Sequence, residues 1–168
     1  GAGGSWVENI MFKEKPLRTR PIAENMLGYD EGQLTRFDPA LMLLQWAGES
    51  ADPPAMAAAM GEDVHVLMVQ GIVDHYILPP IANSTSLSLG LKLTGPSEDA
   101  VHPELVDHRP LEDLLVYSGA STSALPYTGE RSTRAVFQQL EDGVEDGHEV
   151  WFQTDAARHM TRCFLETW

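Results

Sequence analysis

The sequence predicts an α/β fold in which parallel strands are connected by crossover helices. Residues 64–71 ("VHVLMVQG") form an uninterrupted apolar run rich in β-formers, and residues 133–140 ("TRAVFQQL") form a second strand-like run. Such runs are typical of buried parallel strands, because both faces of the sheet are covered. The loop "IVDHYILPP" and the helical pattern "IANSTSLSLGL" follow the first run. Strand, loop and helix together make half of a βαβ unit.

Three short helices are predicted before the first strand. "SWVENIMF" has a helical pattern that Pro16 ends, since proline blocks helix continuation. A second helix begins at Pro21 and stops at Gly28, which fits the usual places of these residues at helix ends. A third covers residues 38–47, with Asp38 as N-cap and Pro39 in its first turn. "ESADPPAMAAAMGED" predicts a loop with an alanine-rich helical turn.

The second half of the chain contains an irregular stretch and an ordered end. Residues 92–133 are predicted to be largely irregular, with "LEDLLVYSG" as a short helix or strand. So long a stretch is uncommon inside a compact domain, which indicates an excursion from the core. "DAARHMTRCFLETW" predicts a terminal helix with Asp155 as N-cap. Its apolar stripe consists of Ala157, Met160, Cys163 and Phe164.

Composition excludes several classes of partner. The 168 residues suffice for one domain with a sizeable core. The chain contains 11 Lys and Arg residues and 25 Asp and Glu residues, which gives a net charge of −14. Such a negatively charged surface repels phosphate backbones and anionic lipids. We therefore predict no nucleic-acid partner. No apolar run approaches the roughly 18 residues that span a bilayer. The lone cysteine, Cys163, rules out an internal disulfide and a multi-cysteine metal site.

Two residues with possible chemistry follow the two predicted strands. Asp74 comes three residues after Gly71, and His148 directly follows Gly147. In open parallel sheets, reactive groups gather in loops beyond the carboxyl ends of the strands. An aspartate that accepts a hydrogen bond from an imidazole fixes its tautomer and stabilises the imidazolium. We therefore expect Asp74 and His148 to meet as a catalytic pair.

This pattern resembles the C-terminal half of an α/β-hydrolase. The resemblance is carried by "VLMVQGIVDHYILPP", "IANSTSLSLGL" and "EDGH" before a terminal helix, and it covers residues 64–168. In that family the catalytic groups follow the chain order nucleophile, acid, base. The resemblance implies that Asp74 is the acid and His148 the base. It also implies that residues 1–62 are the end of a core strand and a helical cap, and that residues 63–168 are the C-terminal part of the hydrolase core.

The nucleophile that the resemblance requires is not evident. No G-x-S-x-G occurs; "GGSWV" around Ser5 lacks the second glycine, and Ser118 and Ser121 lie between the acid and the base. The opening "GAGGSWVEN" has no Met and looks like the middle of a longer protein. We therefore expect the serine upstream, on an N-terminal half that is continuous with this chain or processed from it.

The predicted reaction is hydrolysis of a small-molecule carboxylic ester, or an amide. The apolar side chains of the cap favour an ester: Met26, Leu27, Leu41, Met42, Leu43, Leu44 and Trp46.

Simpler and rival interpretations stay open. Asp74 is also a common turn former, and His148 also fits a polar position in an acidic surface loop. That loop contains Glu141, Asp142, Glu145 and Asp146 as a solvated acidic run. Asp74, His75, Asp146 and His148 are suitable metal ligands by type, but no H-E-x-x-H or similar spacing supports them. We predict neither a metal nor a cofactor. The alternatives are a metal-dependent hydrolase and a non-enzymatic, partner-binding α/β domain.

Overall fold

The computed structural model describes residues 5–96, 98, 132–140 and 142–167. These residues form an α/β structure with a parallel three-stranded sheet of order β1–β3–β2. The strands are β1 (Val66–Ile72), β2 (Lys92–Thr94) and β3 (Arg134–Leu140). The predicted α/β class and the parallel arrangement of the two predicted strands are therefore confirmed.

A helical segment, residues 5–62, precedes the sheet. It contains α1 (Trp6–Phe12), α2 (Arg20–Leu27), α3 (Pro39–Gly48) and α4 (Pro53–Met56), with 3-10 turns at Glu49–Ala51 and Ala57–Ala59. The described residues from 63 onward make up the sheet segment. Besides the strands, it contains α5 (Pro79–Ser88), a 3-10 turn (Gly147–Glu149), α6 (Val150–Gln153) and α7 (Asp155–Thr167).

Helices cover both faces of the sheet. On one face Met68 of β1 and Val136 of β3 pack with Ala82 of α5, together with Leu91 and Leu93. On the other face Phe137 packs with Ala157 and Met160 of α7, next to Leu67 and Val69 of β1. Alternate residues of β1 thus enter opposite cores, as the period of two in a strand requires. The uninterrupted apolar run predicted this two-sided burial.

The predicted helix ends are confirmed in two places and wrong in one. Gly28 ends α2 in the left-handed conformation, with φ 75°. Asp38 caps α3, and its Oδ1 accepts a hydrogen bond from the Ala40 amide at 2.9 Å. Asp155, in contrast, lies within α7. Thr154 caps this helix instead, because its Oγ1 accepts from the Ala157 amide at 3.3 Å.

The prediction for residues 92–133 missed one strand. β2 is only three residues long and pairs with β3, which places Leu93 opposite Val136. So short a strand carries too little periodicity to be distinguished from a loop. The predicted element "LEDLLVYSG" and the serines Ser118 and Ser121 lie outside the described residues.

Candidate active site

Asp74 and His148 are brought together at the carboxyl end of the sheet. β1 and β3 are adjacent and parallel, so the loops that follow them leave from the same edge. His148 Nδ1 lies 3.0 Å from Asp74 Oδ2. Asp74 is buried, whereas the side chain of His148 is 38% exposed. The predicted pairing of these two residues is therefore present as a direct hydrogen bond.

The surroundings hold both members of this pair in place. Asp74 Oδ1 accepts hydrogen bonds from the backbone amides of Tyr76 at 2.7 Å and Ile77 at 2.8 Å. The ring of Tyr76 stacks on the imidazole of His148, with centroids 4.6 Å apart and planes inclined by 26°. Asp74 is thus also a turn former, as the simpler interpretation has it, while its second oxygen lies at His148. The stacking limits rotation of the imidazole.

Glycine allows the two loops to approach this closely. A Cβ at Gly71 would overlap the carbonyl oxygen of Gly147. A Cβ at Gly147 would lie 2.5 Å from the carbonyl of Val73 and 2.6 Å from the Asp74 amide nitrogen. The Gly147 amide also donates a hydrogen bond to Val73 O at 3.0 Å. The contact between the acid loop and the base loop is therefore backbone against backbone, with no room for a side chain.

Asp146 is hydrogen-bonded to both loops of the pair and is not part of a solvated acidic run. Its side chain is only 4% exposed, although Asp142 and Glu145 on the same loop are exposed. Asp146 Oδ1 accepts from the backbone amides of His75 and His148, each at 3.1 Å. Oδ2 lies 2.6 Å from Lys15 Nζ and 2.9 Å from His75 Nδ1. The prediction of a fully solvated run is wrong at Asp146, because four polar hydrogens converge on it there.

The charge state of Asp146 follows from these contacts. Burial raises the pKa of the carboxyl, but the hydrogen bonds from Lys15, from the His148 and His75 amides and from the His75 ring outweigh it. The pKa falls from the ordinary 3.8 to about 2. Asp146 is therefore a carboxylate throughout the range in which histidines titrate.

The pair opens onto an apolar cleft of about 550 Å³. Five consecutive residues of β1, from Leu67 to Gly71, line it, together with Asp74 and His148 at one end. Successive side chains of a strand point to opposite faces of the sheet. Five consecutive residues can therefore line the same cleft only if the edge of the strand faces that cleft. Ala82 of α5 and residues of α6 and α7 (Val150, Trp151, Phe164 and Leu165) form the walls.

The other predicted candidates have different roles. Ser5 caps α1, with its Oγ accepting from the Glu8 amide at 3.3 Å, and it does not line the cleft. Of the apolar cap residues, Leu41 is buried, while Met26, Leu43 and Trp46 are 81%, 62% and 73% exposed. These cap side chains do not line the cleft either.

The geometry separates the four metal-ligand candidates into two pairs. Asp74 is bonded to His148, and Asp146 to His75. Across the part of the chain that the structure describes, no group of three or more His, Cys, Asp or Glu is placed to hold a metal ion. In the same part, no helix combines the length and apolarity needed to cross a membrane.

Two contributors to the site, Tyr76 and Lys15, were not predicted from the sequence, and Asp146 was named there only as a metal ligand by type and as part of the acidic run. Asp146 had a usable signal, since Asp followed three residues later by Glu149 marks the start of a helical turn, and Asp146 does cap the 3-10 turn at Gly147–Glu149. Tyr76 and Lys15 had none. Their roles depend on contacts with His148 and Asp146, which lie 72 and 131 positions away in the chain.

Comparison of the chain with models of protein families, with characterised proteins and with solved structures finds no match of any kind. Functional interpretation therefore depends on the geometry described above.

Proposed function

We propose that this chain supplies the acid and the base of a serine hydrolase that cleaves carboxylic esters. His148 takes the proton of the serine hydroxyl and returns it to the leaving alcohol, and Asp74 orients the imidazole. The observation that carries the proposal is the 3.0 Å contact between His148 Nδ1 and Asp74 Oδ2. With Nδ1–H donated to Asp74, Nε2 carries the lone pair that a general base needs. No described residue is hydrogen-bonded to Nε2.

The surroundings of the pair support a catalytic role over a purely structural one. A structural Asp–His contact needs neither a half-exposed imidazole nor an adjacent cleft. Here His148 is 38% exposed and stacked on Tyr76, and Asp74 is buried with its other oxygen bonded to two amides. A fixed acid, an oriented imidazole and an open space at the imidazole together match the requirements of general-base catalysis.

The proposed nucleophile comes from chain beyond the described residues. The described residues that line the cleft include neither serine nor cysteine. In the described part of the sheet, β1 pairs with β3 on one side, and its other edge faces the cleft. This edge can accept a further strand, because its backbone amides and carbonyls require partners when they are buried. We place the N-terminal half of the protein there, with the serine and the oxyanion-binding amides.

The proposed substrate is an ester with an apolar group near the reacting carbonyl. The support comes from the end of the cleft next to Asp74 and His148, where Ile77 and Val150 supply apolar side chains. The part of the cleft along the β1 edge is taken by the further strand in this proposal and is not part of the substrate site. Apolar walls with a few convergent polar groups at one end are typical of small-molecule sites. The apolar cap residues, on which the sequence argument depended, contribute nothing to these walls.

Fluorophosphonate labelling of the complete protein from its source is the direct test. We expect one modified serine, identified by intact mass and peptide mapping, on chain that precedes the described residues. A label on Ser5 would contradict our placement of the nucleophile. Absence of any label on the intact protein, with retained activity that a chelator abolishes, would favour the metal-dependent alternative.

Substitution of the pair tests its role in the same protein. We expect Asp74→Asn to lower kcat/KM for a p-nitrophenyl ester by about 10⁴-fold and His148→Ala by about 10⁶-fold, since each removes a member of the triad. The matched controls are His159→Ala and Asp155→Asn on α7. His159 contacts Cys163 at 3.5 Å and Asp155 pairs with Arg158 at the surface. Activity that survives in both Asp74→Asn and His148→Ala would refute the proposal and favour a binding domain.

A further inference from the structure

The carboxylate of Asp146 connects the acid loop to the base loop through a single atom. Its Oδ1 accepts from the amide of His148 itself and from the amide of His75, the residue after Asp74. Because both amides contact the same Oδ1 atom, this contact partly fixes the distance between the loops that carry Asp74 and His148. The remaining direct connections between the loops include the bond from Gly147 N to Val73 O and the close contact of Gly71 with Gly147.

Lys15 connects the helical segment to the same carboxylate. Its ammonium lies 2.6 Å from Asp146 Oδ2, and its backbone amide donates to His75 O at 3.1 Å. Lys15 thus holds both loops, one through its side chain and one through its main chain. The ammonium is half-exposed, whereas the carboxylate that it meets is 4% exposed. A charge-assisted contact to so buried an oxygen is stronger than an ordinary surface ion pair.

We infer that Asp146 is a positioning residue for the Asp74–His148 pair, and that Lys15 holds Asp146 in place from the helical segment. Neither side chain lines the cleft, so both act through the loops. The kinetic consequence of this inference rests on the proposed function, whereas its structural consequence does not. A loss of the Asp146 carboxylate should weaken the hydrogen bond between His148 Nδ1 and Asp74 even in a protein without hydrolase activity.

Asp146→Asn is the principal test, made in the complete protein with ¹⁵N-labelled histidine rings. Asparagine keeps an oxygen acceptor for the two amides but presents an NH₂ group to Lys15 and His75. We expect the downfield Nδ1–H signal of His148, assigned by its loss in His148→Ala, to be broadened or lost. We also expect kcat to fall by about 10- to 100-fold, because small displacements of a general base cost this much. KM should change by less than about threefold.

Asp52→Asn is the matched control. Asp52 is as buried as Asp146 and also accepts from a backbone amide and a side chain, those of Ser5 and Gln45. It lies within the helical segment, so its loss should lower the thermal midpoint and leave the His148 signal and kcat unchanged.

Lys15 variants keep the test decisive if Asp146→Asn does not fold. We expect Lys15→Met to weaken the His148 Nδ1–H signal and to lower kcat by about 3- to 10-fold, and Lys15→Arg to restore both, because the cation is retained. An unchanged His148 signal in a folded Asp146→Asn or Lys15→Met protein would overturn the inference. If the parent protein shows this signal but no esterase activity, the proposed function fails and the signal alone still decides the positioning role.

Discussion

A buried carboxylate in the helical segment, Glu24, and one in the sheet segment, Asp146, draw their hydrogen-bond partners from different parts of the chain. In the helical segment, Glu24 Oε1 accepts from the amides of Gly32 and Leu34 and from Arg20 Nε. These partners lie 4 to 10 positions from Glu24. In the sheet segment, Asp146 meets His75 and Lys15, which are 71 and 131 positions away. The contacts of Glu24 are thus local, whereas those of Asp146 with His75 and Lys15 form only in the complete fold.

The two segments also differ in what fills the space between their elements. Val7, Met11, Leu34 and Leu41 form the small core of the helical segment, while Phe37, Met26 and Trp46 are more than 70% exposed. At the site in the sheet segment, the main chain of Gly71 lies directly against the main chain of Gly147. We therefore expect the helical segment to accommodate added volume by movement of side chains, whereas the loops of the site cannot.

Alanine at Gly147 gives the largest expected effect and tests this difference directly. The new Cβ would meet the main chain of Val73 and Asp74, so we expect a loss of about 3 kcal/mol in the free energy of unfolding. Gly48→Ala is the matched control in α3, where the new Cβ would meet only the half-exposed side chain of Trp6. We expect its effect to stay below about 1 kcal/mol. Chemical denaturation of both variants measures the difference, and similar losses would remove the contrast between the segments.

Acid should weaken the sheet segment through Asp146. Its pKa is about 2 in the folded protein and close to 3.8 when unfolded. The folded state therefore binds this proton less readily than the unfolded state does. The stabilisation from the ionised Asp146 is present above pH 4 and is lost as the pH falls toward 2. This lowering of the Asp146 pKa corresponds to about 2 kcal/mol in the free energy of unfolding.

Denaturant unfolding of parent and Asp146→Asn between pH 5 and pH 2 checks this expectation. The variant should lose less stability over that range than the parent. The pKa of Glu24 is lowered as well, because the Gly32, Leu34 and Arg20 hydrogen bonds outweigh its burial. Glu24 therefore contributes to the pH dependence of stability with the same sign in the parent and in the variant. Parallel pH profiles for the two proteins would contradict the assigned role of Asp146.

Replacing one tyrosine in each segment should have a smaller effect on stability. Tyr76→Leu removes the ring stacked on His148, and we expect a loss of about 1 kcal/mol. Tyr29→Leu removes a hydroxyl that donates to Asp38 at 2.8 Å on the surface of the helical segment. Its cost should stay below about 0.5 kcal/mol. Thermal unfolding measures both, and a larger loss at Tyr29 than at Tyr76 would reverse the order that the contacts predict.

Local sequence patterns predict the helices and strands of this protein where short-range interactions are strong. An apolar run covered on both faces predicted β1, proline and glycine marked the ends of α2, and Asp38 predicted the cap of α3. Asp74 and His148 were also accessible from sequence, because residues after neighbouring parallel strands meet at one edge of the sheet. Each of these inferences needs only short-range rules together with one topological rule.

The contacts that hold this pair in place arise from tertiary packing. The burial of Asp146, the stacking of Tyr76 and the contact of Lys15 arise where chain segments distant in sequence pack together. The strand β2 was missed because three residues have too little pattern without the partner β3. Asp146 differs from the exposed Asp142 on its own loop only in its surroundings. The sequence specifies which side chain occupies each position. The burial of that side chain and its hydrogen-bond partners follow from the packing of the whole fold.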